Sequence, residues 1–351
     1  MKKSILFLVT IVFVLSAGLF SCKTSSKDNG NVKFFRHLQF SETQYDRMMG
    51  THPITAKEAE NVNHYRFTYN DKGQVTEVAY MRGNNLLGYS QLGGAKVVID
   101  YTDSTETLHY FDKDGKPLQS DGAAALVYKL DNSGKRIGLS FIDNSGKKIL
   151  NRDSVLYFVW KILPDGMVQE RRYDINNKET IRSKFCPFYE LRFSYDDKGR
   201  CTRLANYQGD TLYSCTAENC GEIGVSYFKF KSNEAGDLEN FSVFNAKGIP
   251  SNLYWGWSSF NNKFDENGNL VRSDYYDQDG EPLSGKTNPT TTYTYDEHGA
   301  VTEVHYFDKS MKPFPNQRAN GAAMVKYSYM ETGQPKDTLR FDVNMEPLKK
   351  N

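Results

Sequence analysis

The feature that most constrains this chain is a period of about 31 residues. Tyr69-Asn-Asp-Lys-Gly-Gln-Val-Thr-Glu-Val-Ala-Tyr80 returns as Tyr295-Asp-Glu-His-Gly-Ala-Val-Thr-Glu-Val-His-Tyr306. Taking the residue at Asp296 as anchor, the equivalent positions are Asn70, Asp100, Asp131, Leu163, Asp196, Asn233, Asp265, Asp296 and Met330. Successive spacings are 30, 31, 32, 33, 37, 32, 31 and 34, which makes nine units with one expansion. A chain built this way folds as one array of like units, each burying its neighbour's apolar face.

Three columns run through the units. A glycine stands three residues after the anchor in eight of the nine, and Asp103 breaks the run. Glycine there supplies the positive φ that a tight hairpin turn needs, and Asp or Asn at the anchor can bond the turn backbone. About 12 residues after the anchor a second Asp-led turn begins. It is preceded by Tyr80, Phe111, Ile142, Tyr173, Tyr207, Phe244, Tyr276, Phe307 and Phe341, and often closed by proline, as at Pro117, Pro250, Pro282, Pro313 and Pro347. Before each anchor, apolar residues alternate with polar ones. Tyr65, Phe67 and Tyr69 flank Arg66 and Thr68, and Leu191, Phe193 and Tyr195 flank Arg192 and Ser194. Period two with one apolar face is a half-buried antiparallel strand.

The expected fold is therefore all-β: tandem antiparallel β-hairpin repeats of about 31 residues over 65–351, roughly eighteen strands in all. An aromatic sheet face must be covered, so the sheet is expected to curl into a spiral or open barrel, with a β-propeller as the alternative. A half-repeat and connector are expected over 33–64, with a strand at Phe40 to Tyr45, a turn at Asp46 to Gly50 and a short helix within Ala56 to His64.

The first residues carry another signal. Lys2 and Lys3 precede an almost unbroken apolar run from Ile5 to Phe20, followed by Ser21 and Cys22. A charged start, a short apolar stretch and a small residue before the cleavage point describe a secretory leader at 1–21. Leu19-Phe20-Ser21-Cys22 resembles the lipobox of bacterial lipoproteins. That resemblance implies lipidation at Cys22, a membrane anchor through the lipid, and a place in the cell envelope at the outer membrane. Residues 22–32 read as the lipidated Cys22 and a flexible polar tether. Its Lys/Asp content resembles the segment following the lipid in surface-exported lipoproteins of Bacteroidetes.

The unit also resembles the YD repeats of Rhs-type bacterial surface proteins, on Tyr195-Asp-Asp-Lys-Gly-Arg200, Phe264-Asp-Glu-Asn-Gly-Asn-Leu270 and Tyr295-Asp-Glu-His-Gly-Ala-Val301. The likeness spans most of 65–342, but this unit has a second turn and is longer. It implies a curled β architecture and an envelope role, and no catalytic residues.

Composition narrows the function. The formal net charge is +1, or −1 once Lys2 and Lys3 are removed, which disfavours a nucleic-acid partner. No nucleophile elbow, phosphate loop, dinucleotide fingerprint or His-Glu-x-x-His motif is present, so no enzyme, metal or cofactor is expected. The paired acidic turns Asp112-Lys-Asp114-Gly115 and Asp277-Gln-Asp279-Gly280 lack the further ligands of a calcium loop. Of Cys186, Cys201, Cys215 and Cys220, the last two fall in the one expanded unit, and a Cys215–Cys220 disulfide is expected to close its extra loop. Trp255 and Trp257 each lie an odd number of residues from Phe260 and Phe264. On a regular strand both face away from the core, which makes them the candidate binding platform for a protein or glycan partner; packing of a connector on a neighbour is the favoured reading. The reading is an envelope-anchored binding or scaffolding lipoprotein.

Overall fold

The computed structural model describes residues 31–349 except 89, 183–187, 214–224, 254–255 and 286. An N-terminal hairpin, Val32–Leu38 with Gly50–Ile54, opens the sheet. Nine hairpins follow. They are Asn63–Tyr69 with Val75–Arg82, Lys96–Tyr101 with Thr105–Phe111, Ala125–Leu130 with Arg136–Ile142, and Tyr157–Ile162 with Val168–Tyr173. Next come Glu190–Tyr195 with Cys201–Gln208, Tyr227–Ser232 with Leu238–Phe244, and Ser259–Phe264 with Leu270–Tyr276. Thr290–Tyr295 with Val301–Phe307 and Met324–Tyr329 with Pro335–Phe341 complete the array. Val32–Leu38 pairs with both Gly50–Ile54 and Asn63–Tyr69, each later hairpin pairs antiparallel with the next, and with the two-residue strands Asn85–Leu86, Pro117–Leu118, Lys148–Ile149 and Thr211–Leu212 one 24-stranded sheet holds all of the described strands.

Most turns of both kinds rest on one device, the exceptions including the first turns at Leu163 and Met330, whose anchors offer no side-chain oxygen and close by backbone bonds. The anchor's side-chain oxygen accepts the N–H groups two and four residues on, as Asp196 Oδ1 does from Lys198 and Arg200. Asp112 and Asp277, in the acidic second turns, do the same. These aspartates thus make ordinary turn bonds. A β-bulge follows the first turn in seven of the nine units. Units two and four lack it. In unit two, where glycine is missing, the turn shortens to Thr102–Thr105, with Thr102 N–H donating to Thr105 O. Asp100 is therefore a strand residue and not a turn anchor. Without the bulge the second strand keeps its phase right to the turn and carries a glutamate inward: Glu106 opposite Tyr101, Glu170 opposite Trp160.

The aromatic column before the second turn faces outward, alternating with buried residues such as Val243. Phe244, Tyr276, Phe307 and Phe341 each bridge to the proline that ends the turn, which explains why the two columns occur together. Tyr80 is the exception, because it points inward against Tyr65 at 4.8 Å.

The sheet coils. After seven hairpins the chain lies over its own beginning, with Asn63 N–H donating to His298 O at 2.8 Å and Gln334 Nε2 to Leu86 O at 2.7 Å. The N-terminal hairpin meets the turns of units six and seven: His52 Nε2 pairs with Asp237 at 2.8 Å, and His37 Nε2 donates to Asn267 O at 3.1 Å. Gly268 must be glycine here, since its φ is +79° and a Cβ would stand 2.3 Å from the His52 ring.

The expected strand at Phe40 to Tyr45 is instead the loop joining the two N-terminal strands, closed at its base by Gln39 N–H to Met49 O. This loop fills the coil. Phe40 packs on Phe230, and Tyr45 on Trp160 and Tyr195. A lone hairpin sheet could not shield its concave face, so the loop supplies the missing layer. The expected connector helix is one capped turn, Ala56–Ala59, with a capping box between Thr55 and Glu58.

Candidate functional site

Inside the coil, buried charges meet the loop. Glu106 is clasped by Arg136 and by Arg47, the latter at 3.0 Å. Arg136 also stacks over the Tyr128 ring at 3.6 Å and donates to Asp46 O at 2.7 Å. Glu170 accepts from Trp160 Nε1 at 2.8 Å and from Arg172 at 2.7 Å. On the outward face, opposite Tyr207, Glu190 accepts from Arg192 and Arg171. Each carboxylate thus has cationic or N–H donors, as buried charge requires.

A cavity of about 1380 Å³ runs between loop and sheet, lined among others by Phe40, Glu42, Asp46, Arg182, Phe228 and Tyr295. Burial raises the Glu42 carboxyl above its usual range, although Arg182 lies 3.2 Å away. Asp46 accepts from Tyr195 OH at 2.7 Å and from the N–H groups of Glu42 and Thr43. These acids hold the loop in place.

The inner face changes character along the array. Three residues before each first turn, units one to six carry Phe67, Ile99, Tyr128, Trp160, Phe193 and Phe230, all at most 4% exposed. Units seven to nine carry Asn262, Tyr293 and Tyr327 there, all half-buried. Around them the same face presents half-buried Tyr275 and Tyr306, and Ser273 Oγ donates to Asn262 Oδ1 at 2.7 Å. Burial pushes the Tyr293 phenol up to about 12 and raises those of Tyr275 and Tyr306, so all stay protonated and able to donate. The arrangement is a concave surface of flat rings with hydroxyl rims, beyond the reach of the N-terminal loop. Rings of this kind combine large contact area with polar specificity. The repeat column carried only part of this signal, because unit three already holds a phenol there, Tyr128, and only burial separates it from Tyr293 and Tyr327.

Of the two readings for Trp257, the structure shows packing in a connector and no outward platform at this residue. Trp257 precedes the strand Ser259–Phe264 and packs on Phe241, Phe260 and Tyr275 at 5.4, 5.6 and 5.8 Å. The odd-number argument required a regular strand reaching back to 257, and a connector stands there instead. Trp255, Cys22, Cys186, Cys215 and Cys220 lie outside the described residues. Cys201 is buried with a free thiol, and burial raises its pKa well above the ordinary range.

No family model and no curated protein matches the chain. Similar solved structures include a porin-like protein from Bacteroides uniformis, 12% identical, covering 88% of this chain and 94% of that one at a TM-score of 0.27. Another is the TcdB2–TccC3 structure, 10% identical over 90% of this chain and 20% of that one, TM-score 0.30. A third is the Tc holotoxin pore of Photorhabdus luminescens, 12% identical over 84% of this chain and 18% of that one, TM-score 0.26. Superpositions this loose assign no activity, and the hairpin-repeat fold rests on the strand pairing itself.

Proposed function

We propose that this protein is an envelope-anchored lipoprotein, held through Cys22, whose coiled sheet is a binding or scaffolding module for a protein or glycan partner. The observation that carries the reading is the inner face of units seven to nine. Units one to six bury the residue three before the first turn to 4% exposure or less, whereas the last three units leave Asn262, Tyr293 and Tyr327 half-open there, beside half-buried Tyr275 and Tyr306. The reading assigns no reaction: Glu42 and Asp46, the acids of the large cavity, are engaged with Arg182, Tyr195 and loop N–H groups.

The test is capture from envelope extract on the immobilised chain, with a glycan array in parallel. A specific ligand lost on the double replacement Tyr293→Ala/Tyr327→Ala supports the reading and locates the face. Capture untouched by that replacement removes the tyrosine face from the argument. Absence of capture from both sources favours a passive structural element of the envelope. Release of the chain from membranes by Cys22→Ser checks the anchor independently.

A further inference from the structure

The tyrosine face ends in an arginine. Tyr293, Val304, Val325 and Arg340 stand opposite one another on four successive strands, so they share one row of the inner face. Val304 and Val325 are 7% and 2% exposed and form the floor of the row. Tyr306 lies two residues beyond Val304, and Tyr327 two residues beyond Val325. The two strands run in opposite directions, so one ring flanks the floor on each side, and both pack on the cluster around Val325. Tyr293 and Arg340 close the ends, three strand spacings or about 14 Å apart.

The repeat supplies its own comparison for Arg340. Leu348 N–H donates to Arg340 O as Thr180 N–H does to Arg172 O, which puts the two arginines at the same position of units nine and four. Arg172 is fully buried, and Glu170, two residues before it, neutralises it at 2.7 Å. Two residues before Arg340 stands Thr338. Arg340 is half-buried, and its Nε is buried with no hydrogen-bond partner among the described residues. Its charge reaches the Tyr306 phenol, where it opposes the rise caused by burial and by Tyr327, as Arg318 opposes the rise caused by burial at Tyr275.

No acid of these strands shares the face. On the five strands from Leu270–Tyr276 to Pro335–Phe341 the acids are Asp274, Glu303 and Asp337. They stand opposite Thr290, Lys326 and Ser328, in the rows that alternate with that of Tyr293 and so point outward. The inner face of the last units therefore carries phenols, hydroxyls and positive charge without a carboxylate from its own strands.

A ligand here meets side chains only, because strand N–H and C=O groups bond within the sheet. A polypeptide strand gains no main-chain bonds on such a surface. A sugar ring lays its C–H face on a phenol and its hydroxyls against the polar rim. A carboxylate meets a guanidinium through paired, charge-assisted bonds.

We propose that the tyrosine face binds a carboxylated glycan, a chain of hexuronate residues, with sugar rings on Tyr293, Tyr306 and Tyr327 and a carboxylate on Arg340. The assignment rests on the binding role of that face and adds the charge of its ligand.

The full chain, in detergent, is titrated into fluorescently labelled hexagalacturonate, its methyl ester and hexaglutamate, read by anisotropy. Hexagalacturonate is expected to bind about tenfold more tightly than either of the others, since the ester keeps the sugar without the charge and the peptide keeps the charge without the sugar. Arg340→Met keeps the apolar stem and removes the guanidinium. It is expected to weaken hexagalacturonate about tenfold and leave the ester unchanged, with an unchanged circular dichroism spectrum. Arg340→Lys, which keeps the charge without the planar fork, is expected to fall between. Should Arg340→Met not fold, added salt carries the test on the parent chain, weakening the acid and sparing the ester. Equal affinity for acid and ester, acid binding unmoved by a folded Arg340→Met or by salt, or no binding of hexagalacturonate overturns the proposal. Hexaglutamate bound as tightly as hexagalacturonate also overturns it, in favour of an acidic polypeptide. Capture from envelope extract that is lost on Tyr293→Ala/Tyr327→Ala yet unmoved by Arg340→Met overturns it as well, and leaves the tyrosine face standing as a surface for another ligand.

Discussion

Arg136→Met separates the work of the buried charges from that of the sheet around them. Arg136 is 4% exposed and its partner Glu106 1%. The substitution keeps an apolar stem of similar length and removes the guanidinium. Removing one member of a buried ion pair costs about 3–5 kcal/mol, because the other charge is left without compensation. Two local terms adjust this. Loss of the stack on Tyr128, at 3.6 Å, adds to the cost. Arg47 remains bound to Glu106 but is itself 49% exposed, so it offsets only part. The expected net loss is about 4 kcal/mol. Glu106→Leu/Arg136→Met removes both charges and should return stability to within about 1 kcal/mol of the parent chain. Urea unfolding is followed by far-ultraviolet circular dichroism and by tryptophan fluorescence, since Trp160 stacks on Tyr128 with ring centroids 6.1 Å apart. Two probes are needed because repeat arrays can lose units separately. The reasoning is refuted if Arg136→Met loses less than about 1 kcal/mol, or if the double variant is no more stable than the single one.

Other consequences follow from the same geometry. Met311 and Met345 take φ values of +59° and +64° at the turn position where other units have glycine; Met311→Gly and Met345→Gly should each raise stability by about 0.5–1 kcal/mol in thermal melts. Trp257→Ala should cost about 2–3 kcal/mol, since its ring packs on three others, whereas a loss under about 0.5 kcal/mol would mark it as a surface residue. Burial, and next the His52 ring, lower the His37 pKa below its ordinary 6.5. Its contribution to stability is therefore complete above pH 6.5 and is lost as pH falls, because the unfolded chain takes up the proton first. His64, also lowered by burial, acts in the same sense, and Glu42, raised by burial, in the opposite one. His37→Gln should flatten the stability profile between about pH 7 and 5, and an unchanged slope would refute this assignment.

Much of the fold was legible because its determinants are local. A turn that needs an acceptor at one residue and positive φ three residues on writes Asp-x-x-Gly into the sequence, and a half-buried strand writes alternation. Period and hairpin order follow from those two patterns, whereas the two-residue strands that bring the sheet to 24 do not. The tyrosine face was partly legible too, as a change of residue type in one repeat column, but only the coil shows that this column lies inside. Bulges were not legible. Units four and five carry the same turn glycine, Gly166 and Gly199, yet only unit five shifts register.

What the sequence determined by itself is thus the hairpin and its repetition, whose hydrogen bonds close within a few residues. Tertiary structure alone decided that residues 39–49 fill the coil rather than form a strand, that Arg136 meets Glu106 and Asp46, and that Trp257 turns inward. Apart from the packing of Trp257, which is local, the closure of the coil depends on contacts between residues 30 to 248 positions apart, from Arg136 with Glu106 to Gln334 with Leu86. Such contacts arise only from the angle at which successive hairpins pack, and no residue pattern within one unit specifies where the seventh hairpin will land.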